Sequence, residues 1–305
     1  MEPLRAAARD PRDLHARVPG VHDERTLPPA ARRASHGVLR GGARPDRIAR
    51  QSQGGAVVLP AWGGRECVWR RCRVRANLSV IVPTFNEVRT IGAIVDRVLA
   101  SPVVSEVVIV DDGSTDGTRS VLETLGKRQR VKVVWHDRNR GKGAAIRTGV
   151  EHVAGELTII QDADLEYDPN DYELIVRQFE DPAVAVVYGS RRLLKTNPIS
   201  SPSFFLGGVT LTWITNILFG TALTDEPTCY KAFRTSLLRS LPLRCTGFEF
   251  CPEVTALVAA RGIRIREVPI RYYPRKTSEG KKIRAKHWFE AVATLLRLRF
   301  RRVAS

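Results

Sequence analysis

The chain of 305 residues lacks the signatures of several enzyme classes. Its first apolar, β-branched run leads into Pro83-Thr84-Phe85-Asn86-Glu87 instead of Gly-x-Gly-x-x-Gly, which excludes a dinucleotide-binding turn there. No Gly-x-x-x-x-Gly-Lys-Ser/Thr loop exists, which excludes a P-loop. The 6 His residues are dispersed, and no Ser, His and Asp order points to an acyl-transfer triad. The 5 Cys residues, at 67, 72, 229, 245 and 251, are odd in number and scattered. Cys67 and Cys72 have neither a second pair nor a His at zinc-ligand spacing, so reduced cytosolic thiols are expected. Met1-Glu2-Pro3 opens no apolar run, so no signal peptide is expected. The uncharged, apolar-rich residues 204–219 number 16, short of a spanning helix, and a peripheral protein is expected.

Charge is abundant but uneven. Residues 1–76 contain no Lys, 16 Arg and 7 acids, a net +9. Residues 264–305 hold 13 basic and 3 acidic residues, a net +10, which leaves 77–263 at −2 out of the total +17. A near-neutral body thus lies between two basic ends. The first 76 residues, rich in Arg, Ala, Gly and Pro, show almost no apolar periodicity and cannot bury enough surface to offset chain entropy. They read as a disordered extension, with a basic arm for acidic lipid or nucleic acid as the other reading. No nucleic-acid partner is expected. The folded domain is expected over 77–305, with 77–190 and 191–285 as its halves and 286–305 as a basic C-terminal helix.

From Leu78 onward, apolar runs alternate with helical patterns. Leu78–Val82, Val107–Val110, Val131–Trp135, Leu157–Gln161 and Val184–Tyr188 read as buried strands. Helices are expected at Thr90–Leu99, where Ile91, Ile94, Val95 and Val98 share a face, and at Ala144–Val153. Such alternation means βαβ units and a mainly parallel sheet with helices on both faces. Each strand ends in an unusual polar cluster: Pro83 to Glu87, Asp111 to Thr118, Asn139 to Gly143, Asp162 to Asp168, and Gly189 to Arg192. Ligands bind at the carboxyl ends of strands in such sheets.

The organising stretch is Ile159-Ile160-Gln161-Asp162-Ala163-Asp164-Leu165-Glu166-Tyr167-Asp168-Pro169. If extended geometry persists, Asp162, Asp164 and Glu166 point the same way. Three oxygen ligands on one side suit Mg²⁺ or Mn²⁺, which would hold a diphosphate opposite them. The alternative is a polar loop capping the next helix, with Asp168 as N-cap and Pro169 at N1.

The ordered set Pro83–Glu87, Val110–Thr118, Gly141-Lys142-Gly143 and Asp162–Glu166 resembles family 2 glycosyltransferases of the GT-A fold. Within these the chain is most similar to dolichyl-phosphate mannose synthases and bacterial polyprenyl-phosphate glycosyltransferases. Gly189-Ser190-Arg191, Thr224 to Cys229, and Glu267-Val268-Pro269-Ile270 leading to Arg275 and Lys282 carry the narrower match, and the resemblance covers about residues 77–300. It implies that Pro83, Thr84, Glu87, Asp111, Asp112, Lys142 and Asp162 bind the nucleotide sugar. Asp162, Asp164 and Glu166 would ligate the metal. Glu166 stands where relatives often have Gln, and Tyr230 where many carry Gly. Arg191, Arg275 and Lys282 would hold an acceptor phosphate, and Asp225 is a candidate active-site carboxylate, although Thr224-Asp225-Glu226-Pro227 also reads as an ordinary turn.

The expected activity is inverting, metal-dependent transfer of a hexose from a GDP- or UDP-sugar to a polyprenyl phosphate at the cytoplasmic membrane face. Other acceptors (a glycan or a diphosphate-linked lipid) are the alternative; a nucleotidyltransferase would show a Gly-rich basic loop after its first strand. Two readings stay open for residues 204–219: a buried core helix, or an interfacial helix anchored by Trp213. The segment Trp288–Arg302 interleaves Leu295, Leu296, Leu298 and Phe300 with Arg297, Arg299, Arg301 and Arg302, a pattern suited to an anionic membrane surface.

Overall fold

The computed structural model describes residues 77–199, 201–275 and 284–300. The basic N-terminal extension and Lys282 lie outside the described residues. Seven strands form one sheet: β1 (Leu78–Thr84), β2 (Val104–Asp111), β3 (Val131–Trp135), β4 (Leu157–Ile160), β5 (Val186–Ser190), β6 (Lys231–Arg234) and β7 (Ile265–Pro269). Their order is β3-β2-β1-β4-β6-β5-β7. β1 pairs in parallel with β2 and β4, β2 with β3, and β5 with β7. Among the described residues, only β6 runs against its neighbours, β4 and β5.

The strands are Val- and Ile-rich, and both alternating sets of side chains in β1, β4 and β5 are buried. Both faces of the sheet are therefore covered, as a mostly parallel sheet requires. The helices are α1 (Ile91–Ala100), α2 (Thr118–Leu125), α3 (Lys142–His152), α4 (Tyr172–Arg177), α5 (Pro202–Phe219), α6 (Thr235–Ser240), α7 (Phe250–Ala260) and α8 (Ala285–Phe300). In α1 the four residues that share the expected face are the four buried ones. Asp168 caps a short 3-10 turn over Pro169–Asp171, its side chain accepting from the Asn170 N–H.

Two features depart from the expected layout. First, the sheet contains β6, a four-residue strand absent from the sequence reading. Its reversed direction brings the preceding residues, Thr224 to Tyr230, to the edge where the parallel strands end. Second, β4 stops at Ile160, so Asp162 to Glu166 is a turn and Leu165 has a positive φ of 64°. Asp162, Asp164 and Glu166 are consequently not three alternate residues of one strand.

α5 begins at Pro202, with the Ser201 hydroxyl accepting from the Phe204 N–H, and stops at Gly220, whose φ of 65° suits glycine. At 18 residues it exceeds the expected segment and is long and apolar enough, by composition, to cross a bilayer. It is not a core helix: only Leu211, Thr212 and Thr215 are buried, while Trp213 is 64% exposed. α5, α7 and α8 meet through a small second cluster of Leu211, Ala256, Ala291 and Leu295.

Candidate active site

The carboxyl ends of β1, β4 and β5 and the loops after β2 and β3 open into one cleft of about 1990 Å³. The loops on its floor are tied to one another by backbone-directed side chains. After β2, Asp112 accepts from the Arg140 and Gly141 N–H groups, each at 2.8 Å, and pairs with His136 Nδ1 at 2.8 Å. After β1, Asn86 Oδ1 accepts from the Thr115 N–H, and the Glu87 N–H donates to Thr118 Oγ1. Asp111 is fully buried and accepts from the Ser114 N–H and from Arg119 Nε at 2.8 Å. Asp112 reaches the cleft lining, as do Pro83, Thr84 and Glu87.

Lys142 begins α3 and extends to Asp162, with Nζ 2.5 Å from Oδ1. Burial alone would lower the lysine's pKa, but the Asp162 carboxylate raises it overall, so the ammonium stays charged. The flanking Gly143 is required by a close approach. A Cβ there would stand 2.7 Å from the Cys245 carbonyl, and its N–H donates to the Gly247 carbonyl. The loop 245–249, which sequence reasoning did not single out, thus closes over the start of α3 and places Phe248 beside Lys142.

Arg275 joins the carboxylates. Its Nη2 donates to Asp164 Oδ2 at 3.1 Å, its Nη1 to Glu87 Oε2 at 3.3 Å, and its backbone N–H to Glu166 Oε1 at 2.9 Å. Glu166 also accepts from the Tyr272 hydroxyl at 3.0 Å. Burial first, then the charges of Asp162 and Glu166, push Asp164 up to about 7 against the opposing pull of Arg275. Asp162, Asp164 and Glu166, with Glu87, outnumber the two cations, Lys142 and Arg275, that pair with them, so the site has surplus negative charge. Their hard oxygens fit Mg²⁺ or Mn²⁺. Among the described residues, however, no three His, Cys, Asp or Glu side chains converge as they stand on one ion position. Each of the three has a partner, Asp162 in Lys142, Asp164 in Arg275, and Glu166 in Tyr272 and Arg275, and all three line the cleft as the residues that would hold an ion.

Behind this turn stands a group of tyrosines with no counterpart in the sequence reading. The hydroxyls of Tyr172 and Tyr230 both donate to Gln161 Oε1, at 2.5 and 2.6 Å, and Tyr167 stacks between Tyr230 and Tyr272. All four rings are buried. Tyr230 is therefore part of the wall that fixes Gln161 and the turn after it.

Arg191 and Asp225 face each other. Nε and Nη2 of Arg191 donate to Oδ2 and Oδ1, both at 2.7 Å, and Asp225 is fully buried. Burial would raise the pKa of Asp225, yet Arg191 holds it below its ordinary value. Glu267 on β7 accepts from the Thr224 and Asp225 N–H groups. Arg191 lines the cleft but spends its fork on Asp225, and Asp225 has no exposed surface. Cys229 and Cys251, both free thiols, also line the cleft.

Past Arg191 the cleft continues between α5 and α8, where Phe204, Phe205, Trp288 and Phe289 line it. Trp288 Nε1 donates to the Gly207 carbonyl and ties α8 to α5. Phe289 is 67% exposed. One continuous space runs from the carboxylates to an uncovered apolar rim.

The chain is similar to known proteins in sequence and in fold. The sequence model described as glycosyl transferase family 2 matches residues 79–239, more than half of the chain. Dodecaprenyl-phosphate galacturonate synthase of Rhizobium johnstonii is 29% identical over 217 residues, which is 67% of this chain and 61% of that relative, less than two thirds of its length. Dolichyl-phosphate beta-glucosyltransferase of Saccharomyces cerevisiae is 30% identical over 224 residues, 64% of this chain and 66% of that protein. Among solved structures, glucosyl-3-phosphoglycerate synthase of Mycobacterium tuberculosis superposes with a TM-score of 0.58 at 21% identity, covering 73% of this chain and 80% of that one. Another structure of that synthase contains Mn²⁺ and uridine diphosphate. At such identity the likeness concerns the fold, which is that of GT-A glycosyltransferases.

Proposed function

Because the chain belongs to glycosyl transferase family 2 and is therefore a glycosyltransferase, we propose that it moves a hexose from a nucleotide-diphosphate sugar to a polyprenyl phosphate. The observation that carries this reading is the continuity of the cleft, polar and carboxylate-lined at one end and apolar at the α5–α8 rim. A sugar nucleotide fits the first end and a phosphate on a prenyl chain the second. The relatives that act on dodecaprenyl and dolichyl phosphates support the acceptor class. The exposed apolar surface of α5, together with the net charge of +10 that the sequence carries over residues 264–305, supports docking on an anionic membrane, at the cytoplasmic face.

In the proposed reaction an acceptor phosphate oxygen attacks the anomeric carbon. The bond from that carbon to the donor diphosphate breaks, its electron pair leaves with the nucleoside diphosphate, and the configuration inverts. The acceptor is already an anion near neutral pH, so no side chain need remove a proton. Asp162, Asp164 and Glu166 would hold a divalent ion, which would supply charge stabilisation to the departing diphosphate. Lys142 brings a fixed positive charge beside Asp162, and Arg275 a second beside Asp164 and Glu87. Tyr272 and the tyrosines behind Gln161 keep the turn in place, so positioning is the protein's main contribution.

The test is transfer by the full chain from radiolabelled GDP- and UDP-sugars to a short polyprenyl phosphate, with the prenol, a diphosphate-linked prenol and 3-phosphoglycerate as parallel acceptors. Labelled prenyl phosphate sugar is expected. Product with another acceptor alone overturns the acceptor assignment, and no product with any sugar nucleotide overturns the donor assignment.

A further inference from the structure

We propose that His287 of α8 is a positioning residue for the nucleotide end of the cleft, acting through Phe248 on Lys142. The inference rests on the sugar-nucleotide reading, in which Lys142 supplies a positive charge at that end, and adds a link to it from α8. The contacts run without a gap. The rings of His287 and Phe248 lie 4.7 Å apart between centroids, tilted by 44°. Lys142 Nζ is 5.8 Å from the Phe248 centroid and 2.5 Å from Asp162 Oδ1. All four side chains line the cleft. Asp162 restrains the ammonium and also neutralises it. The Phe248 ring attracts the same group without cancelling its charge.

The loop that carries Phe248 also sets where α3 begins. The first N–H groups of a helix have no partner inside it. Here the Gly143 N–H donates to the Gly247 carbonyl at 3.1 Å and the Ala144 N–H to the Thr246 carbonyl at 3.0 Å. The loop's own N–H groups are taken up beside α7, those of Arg244 and Cys245 by Glu253 and those of Thr246 and Gly247 by Glu249. α8 meets the loop at a second point, where Arg297 Nη2 donates to Cys245 Sγ at 3.7 Å. The imidazole itself has two separable roles. Its Nδ1 accepts from the Arg284 N–H at 2.9 Å, reaching back from the third position of α8 as the Glu or Gln of a capping box does. A ring that accepts at Nδ1 is neutral, so it brings no second positive charge toward Lys142. The cap serves α8 alone, whereas the ring face is what reaches the site.

The experiment is calorimetric titration of the full chain with UDP and with GDP, Mg²⁺ present, alongside thermal unfolding. The proteins are wild type, His287→Gln, His287→Phe, Phe248→Leu and the double variant of Phe248→Leu with His287→Gln. His287→Gln keeps a capping acceptor and loses the ring, so it should bind the nucleoside diphosphate about threefold to tenfold more weakly, the span of an aromatic pair. His287→Phe keeps a ring and loses the acceptor. It should bind within about twofold of wild type, below the smallest such pair, although its thermal midpoint falls. Phe248→Leu should also bind more weakly, and adding His287→Gln to it should cost nothing further, because the two residues act in series. Wild-type affinity in His287→Gln overturns the inference. A loss in His287→Phe as large as in His287→Gln assigns the effect to the cap and overturns it too. Full additivity in the double variant overturns the route through Phe248. Failure of wild type to bind either UDP or GDP overturns the sugar-nucleotide reading itself, which the variants alone cannot do.

Discussion

Asp164 meets opposite demands in one turn. Its carboxylate is crowded by Asp162 and Glu166 and relieved by Arg275. Asn in its place keeps the shape and removes a repelling charge, so Asp164→Asn should unfold at the same or a higher temperature than wild type. Its transferase activity should nevertheless vanish, as should that of wild type in excess chelator; full activity in either case defeats the metal assignment. Asp225 predicts the reverse pattern. It is fully buried under a bidentate Arg191, and removing one partner of a buried pair strands the other charge, at about 3–5 kcal/mol. Asp225→Asn should therefore lower the urea midpoint before anything is learned about catalysis. Because Arg191 depresses the pKa of Asp225, its stabilisation is complete above the unfolded carboxylate's value of about 4 and is lost as pH falls through the lower folded value. Acid titration of stability should show the wild-type advantage over Asp225→Asn shrinking below about pH 4, and a constant difference at all pH values would refute the pairing as its source.

At the scale of elements, the sequence was most readable where one physical signal dominated. The apolar runs of β1 to β5 and the periodic face of α1 are dictated by burial on a two-sided sheet, and they lie where their patterns predict to within a few residues. β6 was not readable because Lys-Ala-Phe-Arg looks like no buried strand. Lys231 is nonetheless fully buried, its Nζ on the Glu226 carbonyl at 2.5 Å and over the Tyr188 ring, a solution visible only once distant residues meet. The same holds for the turn after β4: period-two reasoning extends a strand through Asp162 to Glu166, whereas Tyr230, Tyr272 and Arg275, which pack and bond around it, come from elsewhere in the chain. Arg275, expected among the acceptor groups, is in contact with Glu87 and Asp164. Packing between α3 and β1 gives a further prediction. A Cβ at Gly149 would meet Ile81 Cγ2 at 2.5 Å. Gly149→Ala should thus destabilise by about 1–3 kcal/mol through overpacking, despite alanine's better helix propensity, as measured by the denaturant midpoint. A more stable variant would mean that the core at Ile81 gives way easily.

For the whole molecule, the decisive feature is that α8, one side of the apolar rim, lies within the basic stretch 264–305. α5 exposes Leu206, Trp213 and Ile217, each more than 60%, and α8 exposes Phe289 and Phe300. Residues 264–305, which include α8, carry 13 basic and 3 acidic residues, hence the net +10. Each Lys or Arg near an anionic surface contributes about 1 kcal/mol, and the interaction fades beyond a Debye length of about 8 Å at physiological salt. The apolar term is far less sensitive to salt, so the two can be separated. The full chain should sediment with anionic vesicles at low salt, weakly with neutral ones, and should be released from anionic vesicles as ionic strength rises. Trp213→Glu should weaken binding at every salt concentration, because it removes the apolar contact and adds repulsion at once. Deleting residues 286–305, which removes 5 of those 13 basic residues, should instead weaken the preference for anionic lipid. Deleting residues 1–74 should leave thermal stability and transfer unchanged, since that stretch has no core-forming pattern. If Trp213→Glu binds as wild type does, the exposed face of α5 is not the surface that meets the lipid, and the cleft must take its acceptor from another side.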